Sequence, residues 1–356
     1  MKKVLMAMSG GVDSSVSAYI LKKQGYDVIG TTLKLFDKEE DYEDNKTCCS
    51  LNDIDDARCV ANKLDIPFYV FNFKDEFKKN VISKFVSSYL NGSTPNPCID
   101  CNKFIKFDKM LRRSKELDCN FIATGHYAII EKDDITGKYL LKKAKDINKD
   151  QSYFLYFLTQ NQLEHTLFPV GNLYKQQEVR KIALENNFIN SKKPDSQDIC
   201  FISNGNYSNF INNYVNYDIP CGNFIDIDGN ILGKHSGIIN YTIGQRKGLG
   251  LSFKEPMYVG KINPKTNDVV LCQKESLYRK TFTVKDINLI SVNLINEPLK
   301  VKVKTRYRQV EQPAMVSQIE NDLLHVELDV PQKAITKGQA LVMYDGDIVV
   351  GGGIID

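Results

Sequence analysis

Apolar and polar positions along the first two hundred residues switch between two periods. "KKVLMAM" and "YDVIGTTL" are nearly continuous apolar runs of strand length. Between them Val12, Val16, Tyr19 and Ile20 recur at i, i+4, i+7 and i+8, one face of a helix, and Gly25 follows where a C-terminal cap belongs. Strand, helix, strand in that order predicts a βαβ unit and so a parallel sheet. The alternation continues: "DIDDARCVANKLD" reads as helix, "IPFYVFNF" as strand, "DEFKKNVISKFVSSYLNG" and "FDKMLRRSKELD" as helices, and "CNFIATGHYA" as strand. Near Gly205 the texture changes to short β-rich runs joined by turn signals such as "DIDGN" and "NPKTND", and from about Thr281 strands dominate. These shifts set expected domain limits at 1–205, 206–280 and 281–356. No internal repeat or low-complexity tract interrupts them.

Composition narrows the classes. The chain has 356 residues, 42% hydrophobic and 26% charged, enough for more than one core. Its 47 basic and 44 acidic residues leave a net charge of +3, so a nucleic-acid partner has to be argued from local clusters. The apolar run after the two N-terminal lysines breaks at Ser9, Gly10 and Gly11, short of a signal-peptide core. No run approaches the roughly eighteen apolar residues of a bilayer span, so a cytoplasmic protein without a membrane partner is expected. Nine cysteines without an export signal argue for thiols with metal or catalytic work rather than a disulfide framework.

The most informative stretch is "SGGVDSS", delivered by a strand and running straight into a helix. Unpaired backbone N–H groups at the positive end of the helix dipole make an anion site, and glycine lets a phosphate come close. The spacing and the missing lysine rule out the P-loop pattern G-x-x-x-x-G-K-[ST]. A glycine turn capping a helix without any ligand is the plainer reading. Elsewhere Cys98 and Cys101 form a C-x-x-C beside two prolines in "TPNPCIDC", and Cys200 stands in "PDSQDICFI". As a strand, "VKVKTRYRQV" would put Lys302, Lys304, Arg306 and Arg308 on one face at intervals of about 6.7 Å. That stripe suits a polyanion, or a solvated edge strand protected by charge. "RRSK", "LKKAKDINKD" and "QRKG" add cations on other segments.

The SGGxDS loop resembles the PP-loop of the ATP pyrophosphatases. With "ATGHY", "KDQSYFL", "TIGQRKGLG", the C-x-x-C and "ICF", the whole chain resembles the tRNA 2-thiouridylase family of that class. The resemblance implies an α/β fold, a doubly wound parallel sheet of the adenine nucleotide alpha-hydrolase type, followed by a small β-rich central domain and a C-terminal β-barrel. It implies ATP contacts at Ala7, Met8, Ser9, Gly10, Gly11, Val12, Asp13, Ser14, Leu33 and Gly125, with Asp13 helping to hold Mg2+. Asn96, Pro97 and Cys98 would lie against the target base. His126, Lys149, Asp150, Gln151, Arg306, Tyr307 and Gln339 would bind or place tRNA. Cys101 and Cys200 match the two working thiols, and a cysteine desulfurase or persulfide relay protein would supply the sulfur.

The implied chemistry is ATP-dependent adenylation of the C2 oxygen of a wobble uridine, followed by sulfur transfer. Two sulfur routes stay open. Cys200 carries a persulfide and Cys101 closes a transient disulfide, or Cys98, Cys101 and Cys200 hold an iron–sulfur cluster. Many family members have aspartate, a group suited to proton transfer, where this chain has Cys98, so the resemblance does not carry that role over to the thiol. Another PP-loop ligase acting on a small amide, or a redox-sensing RNA-binding protein without catalysis, are the competing functions. Cys48, Cys49, Cys59, Cys119, Cys221 and Cys272 are expected to be fillers. His165, His235 and His325 carry no assignment.

Overall fold

A computed structural model describes residues 1–36, 51–195, 199–202 and 205–356. Cys48 and Cys49 lie outside the described residues.

The first strand, β1 (Lys3–Ala7), has Val4, Leu5 and Met6 fully buried, as a central strand covered on both faces must. It pairs in parallel with β2 (Asp27–Lys34). Outside β2 lies β3 (Phe68–Asn72), and on the other side of β1 comes β4 (Phe121–Ala123), again in parallel. With β7 (Thr166–Leu167) the sheet order is β3-β2-β1-β4-β7. The order reverses direction between β1 and β4, and ligands of such sheets bind beyond the carboxyl ends of the strands at that point.

Helix α1 (Val12–Lys23) links β1 to β2 and ends as its sequence predicts. Gly25 takes φ +82°, and Tyr26 N–H donates to the Leu21 carbonyl at 3.1 Å, a glycine C-cap. Its buried surface is broader than one apolar stripe. Val12 and Val16 are buried with Ser14, Ser15, Ser17 and Ala18, whereas Tyr19 and Ile20 are only partly so. Small side chains admit close packing against the sheet, against α2 (Leu51–Lys63) and against the helix Arg180–Glu185. The buried hydroxyls stay satisfied by donating back along the helix, Ser15 to Gly11 O and Ser17 to Asp13 O. The helices predicted at 75–92 and 107–118 also form, over Lys74–Leu90 with a widened π stretch Lys78–Ile82 inside it, and over Met110–Glu116 preceded by a π stretch Cys101–Lys109.

By contacts the chain divides into two units. One comprises residues 1–81, 98–205 and 346–350, and the other 82–97, 206–345 and 351–356. The first unit holds the parallel sheet and a hairpin of β5 (Ile129–Lys132) and β6 (Tyr139–Lys142). The second holds a four-stranded sheet, β8 (Gly222–Ile225), β9 (Ile231–His235), β10 (Tyr258–Asn263) and β11 (Asp268–Cys272), over a core of Phe224, Val259, Val269 and Leu271.

It also holds the strands β12 (Tyr278–Leu289), β13 (Leu299–Lys304), β14 (Gln312–Glu320), β15 (Leu323–Lys333), β16 (Ala340–Asp345) and β17 (Ile348–Ile355), β17 from Gly351 onward. They run in the order β12-β15-β14-β13-β16-β17, and β17 pairs back onto β12 to close a barrel. The expected α/β sheet, β-rich middle and C-terminal barrel are all present. One expectation fails. The basic strand stops at Lys304, and Thr305–Gln309 bend away, so Arg306 and Arg308 do not continue the face of Lys302 and Lys304.

Candidate active site

The loop Ser9-Gly10-Gly11 leaves β1 and starts α1 at the switch point. Gly10 is buried at φ +73°, and a Cβ there would lie 2.3 Å from the Asp53 carbonyl oxygen of α2. Only glycine fits both the backbone and the space. Gly11 is the N-cap and offers no side-chain oxygen to the first-turn N–H groups, leaving that end of the helix suited to an anion. Ser14 Oγ receives Ser9 N–H at 3.2 Å and donates to Gly11 O at 2.9 Å, which fixes the curve of the loop.

Across the switch point, Gly125 meets this loop from β4. A Cβ on it would lie 2.8 Å from Ser14 N and 2.9 Å from Asp13 C, so the two expected nucleotide segments do come together. Leu33 is buried at the end of β2.

Asp13 is the centre of a charged cluster. Tyr127 donates its hydroxyl to Oδ1 at 2.8 Å, and Lys175 donates to Oδ2 at 2.7 Å. Lys175 is 4% exposed and also pairs with Asp195 Oδ1 at 2.8 Å. Asp195 receives Lys149 at 3.0 Å and Arg180 at 3.0 Å as well. Burial works to raise the Asp195 carboxyl, but hydrogen bonds from Lys175 and Lys149 outweigh it and bring the group down to about 2. Burial and the neighbouring Asp13 carboxylate push the Tyr127 phenol far up, so it stays a donor.

Behind the loop, Asn190 donates to Gly10 O at 3.0 Å and to Ser15 Oγ at 2.8 Å, and its Oδ1 is buried without a partner. Lys193 donates to Gly10 O at 3.3 Å while pairing with Asp53 and Asp56 at 2.6 Å. Sequence reasoning missed Tyr127, Lys175, Asn190, Lys193 and Asp195 as site residues. One signal was available: Lys175, Val179 and Ala183, spaced by four, share the buried face of their helical segment, and a lysine on such a face needs an anionic partner.

His126, next to Gly125, has its Nδ1 2.7 Å from Thr124 Oγ1 and its ring between Phe107 and Phe168, 5.9 Å from each. Desolvation first, and the Lys106 charge second, hold its pKa well below 6.5. It is a neutral imidazole at pH 7, able to hydrogen-bond or stack but not to neutralise a phosphate. Gln151 binds Tyr127, the residue after His126, at two points, its Oε1 receiving Tyr127 N–H at 3.0 Å and its backbone N–H donating to Tyr127 O at 2.8 Å. Asp150 is buried and accepts from Ala144 N, Ser152 N and Ser152 Oγ, so its carboxylate shapes the turn. Lys149 borders a depression of about 390 Å³ with Lys145, Asp146 and Tyr174.

Pro97 opens the helical turn Pro97–Asp100, the position where a missing N–H costs nothing. Cys98 on that turn is exposed, Cys101 one turn on is buried, and Cys200 is half-buried in a turn. Among the described residues no three His, Cys, Asp or Glu side chains gather at metal-ligating spacing.

In the second unit, Gln339 donates its amide to Thr94 O at 2.7 Å, and Thr94 N–H donates to Lys337 O at 3.0 Å. Gln339 thus holds the backbone two residues before Asn96. Arg306 binds Ala334 O and Thr336 Oγ1, which anchors the turn carrying Tyr307. No described helix is long and apolar enough to cross a membrane.

A glycine loop at the switch point of a five-stranded parallel sheet, with an ion-paired aspartate in the first turn of its helix, defines a nucleotide-binding α/β protein of the PP-loop type. Family models match along the chain: a tRNA methyl transferase HUP domain over residues 2–204, a tRNA methyl transferase PRC-barrel domain over 208–273 and an aminomethyltransferase β-barrel domain over 279–355. The chain is 54% identical over 355 residues to the tRNA-specific 2-thiouridylase MnmA of Clostridioides difficile, covering 100% of this chain and 98% of that one. The protein of the same name from Acetivibrio thermocellus is 51% identical over 358 residues, with 99% of each chain covered. That of Clostridium perfringens is 51% identical over 356 residues, with 100% and 98% covered. The chain belongs to the family of tRNA-specific 2-thiouridylases.

Proposed function

We propose that the protein uses ATP to convert a wobble uridine of tRNA to 2-thiouridine in the cytoplasm. The observation that carries this is the apposition of Gly125 and the Asp13–Ser14 backbone at the switch point, in a chain half identical over its full length to curated 2-thiouridylases. The nucleotide is assigned to Ala7 through Ser14, Leu33 and Gly125, and the base to Asn96, Pro97 and Cys98. The domain limits near residues 205 and 280 belong to the same reading.

Oxygen is a poor leaving group at C2 of uracil. Attack of that oxygen on the α-phosphorus of ATP expels pyrophosphate and makes AMP the leaving group. The first-turn N–H groups of α1 suit the departing diphosphate. Magnesium would lower the charge of the triphosphate, and Asp13 is the carboxylate suited to it, in exchange with Tyr127 or Lys175. In the sulfur step the terminal sulfur of a Cys200 persulfide bonds to C2. The Cys101 thiolate then attacks Cys200 Sγ, forming a disulfide between the two, and AMP departs with the C2 oxygen. A dithiol reductant resets the pair, and a desulfurase or persulfide relay protein reloads Cys200. Among the described residues no set of three ligands is gathered, so no step is drawn through an iron–sulfur cluster.

Transcribed tRNA, ATP, magnesium and a persulfide donor are incubated with the protein, and 2-thiouridine is read by nucleoside mass spectrometry. Product that requires ATP, and that disappears in Cys101→Ser and Cys200→Ser while pyrophosphate release persists, is expected. Full thiolation by either serine variant, or without ATP, refutes the proposal.

A further inference from the structure

Residues 92–97, which lead into the segment assigned to the target base, are fixed at two points inside the second unit. Their start closes the helix Ser83–Leu90, Gly92 N–H donating to Tyr89 O at 3.0 Å and Ser93 N–H to Ser88 O at 2.9 Å. At Thr94 one turn of the barrel, residues 334–339 between β15 and β16, takes both backbone polar groups. Thr94 N–H donates to Lys337 O at 3.0 Å, and Thr94 O accepts from the Gln339 amide at 2.7 Å. Gly338 makes the approach possible. It sits at φ +89°, and a Cβ there would lie 3.1 Å from Ser93 Cβ and 3.2 Å from Thr94 N. We infer that this turn sets where Asn96 and Pro97 meet the base, with Gly338, Thr336 and Arg306 as positioning residues. This rests on the assignment of the base to Asn96, Pro97 and Cys98.

Two features carry the clamp toward the base. Pro95 and Pro97 fix their own φ and bias Thr94 and Asn96 toward extended backbone, so residues 94–97 form a short strut with few free torsions. Its far end lies at most about 10 Å from Thr94, so a shift at the clamp is passed on rather than absorbed. On the barrel side the turn is pinned. Gly338 N–H donates to Ile355 O and Ile355 N–H to Gln339 O, each at 2.9 Å, and Gln339 N–H donates to Thr336 O at 3.2 Å. Ala334 opens the turn at φ +56°, a left-handed conformation that is costly for a residue with a Cβ. The Arg306 guanidinium holds it there, donating to Ala334 O at 3.0 Å and to Thr336 Oγ1. The Thr336 hydroxyl completes the triangle by donating to Ala334 O at 2.8 Å, and at 2% exposed it is out of reach of RNA.

Full-length protein is bound to tRNA carrying 5-iodouridine at the wobble position and irradiated, and the cross-link to the peptide holding residues 96–98 is read by mass spectrometry. Filter binding gives the tRNA dissociation constant, and tRNA-dependent pyrophosphate release gives kcat. Gly338→Ala is expected to lower the cross-link and kcat by about tenfold, less than a full ångström of misplacement costs, with the dissociation constant unchanged. Thr336→Val, which loses the hydroxyl that Arg306 binds, moves both readouts the same way. Thr336→Ser keeps them, and Glu327→Gln, exposed on β15, leaves them unchanged. If Gly338→Ala fails to fold, Thr336→Val is read in its place against Thr336→Ser. An undiminished cross-link in the variant read, or a loss of tRNA affinity that accounts for the lower rate, overturns the positioning role alone. Bound tRNA with no cross-link to residues 96–98 of the unmutated protein overturns the base assignment and the positioning role together.

Discussion

At the scale of single residues, the cluster around Asp13 is held by charges that cannot be removed one at a time. Lys175→Met would keep the stem of the side chain and its packing but strand the Asp13 carboxylate beside a buried methyl group and remove one of the three cations that hold Asp195. The expected cost is about 3 kcal/mol, since a broken buried pair leaves uncompensated charge. A urea unfolding curve measures it, and an unchanged midpoint would mean that solvent already screens the pair. His126 gives a second residue-scale prediction. Its imidazole should titrate far below 6.5 in an NMR pH series. Because the unfolded chain takes up a proton near 6.5 and the folded one does not, stability is fully present above that value and is lost as pH falls below it. His126→Gln, which cannot titrate, should lose less stability between pH 6.5 and 5. In the proposed tRNA role of His126, the same shift leaves hydrogen bonding and stacking.

At the scale of elements, β1, α1, β2 and the glycine cap were legible because each follows from a local rule: a buried apolar run, a helical period, a positive φ. The two-residue β7 was not legible, since so short a strand has no period of its own. The basic stripe misled because alternation continued past the point where the chain turns, and the Arg306 guanidinium is engaged by Ala334 and Thr336. Lys175 and Asn190 were hidden because their partners in the loop and first helix, Asp13, Gly10 and Ser15, lie more than a hundred residues away in sequence. The close crossing of the turn after β4 and the start of α1 can be tested directly. Gly125→Ala places a methyl carbon 2.8 Å from Ser14 N, against backbone that cannot swing aside. Pyrophosphate release dependent on tRNA should fall by about 100-fold, the effect of an ångström-scale misplacement, with the circular dichroism unchanged. A full rate would mean that this approach does not set the nucleotide.

At the scale of the whole molecule, the compact units are not continuous in sequence, and local patterns gave no sign of it. The apolar face of the helix Ser83–Leu90 was visible from its period, but what covers it was not. Phe85 and Tyr89 pack on Phe210 and Tyr207, and Ser83 bonds Tyr214, all from beyond residue 205. The last strand makes the reverse crossing, for Ile348 pairs with Lys142 of β6 and Lys143 N–H donates to Asp347 O at 2.8 Å, inside the first unit. A fragment cut at the texture change, residues 1–205, therefore loses partners at both places. Removing two backbone hydrogen bonds, at about 1 kcal/mol each, should lower its melting temperature by roughly 4–8 °C relative to the same unit in the full chain. Uncovering Phe85, which is fully buried, should also make the fragment bind 1-anilinonaphthalene-8-sulfonate and self-associate. Adding the missing peptide of residues 346–350 in trans should not rescue it, because the exposed helix face would remain. A monomeric fragment that binds no dye and melts with the intact protein would show that the first two hundred residues fold without these distant segments.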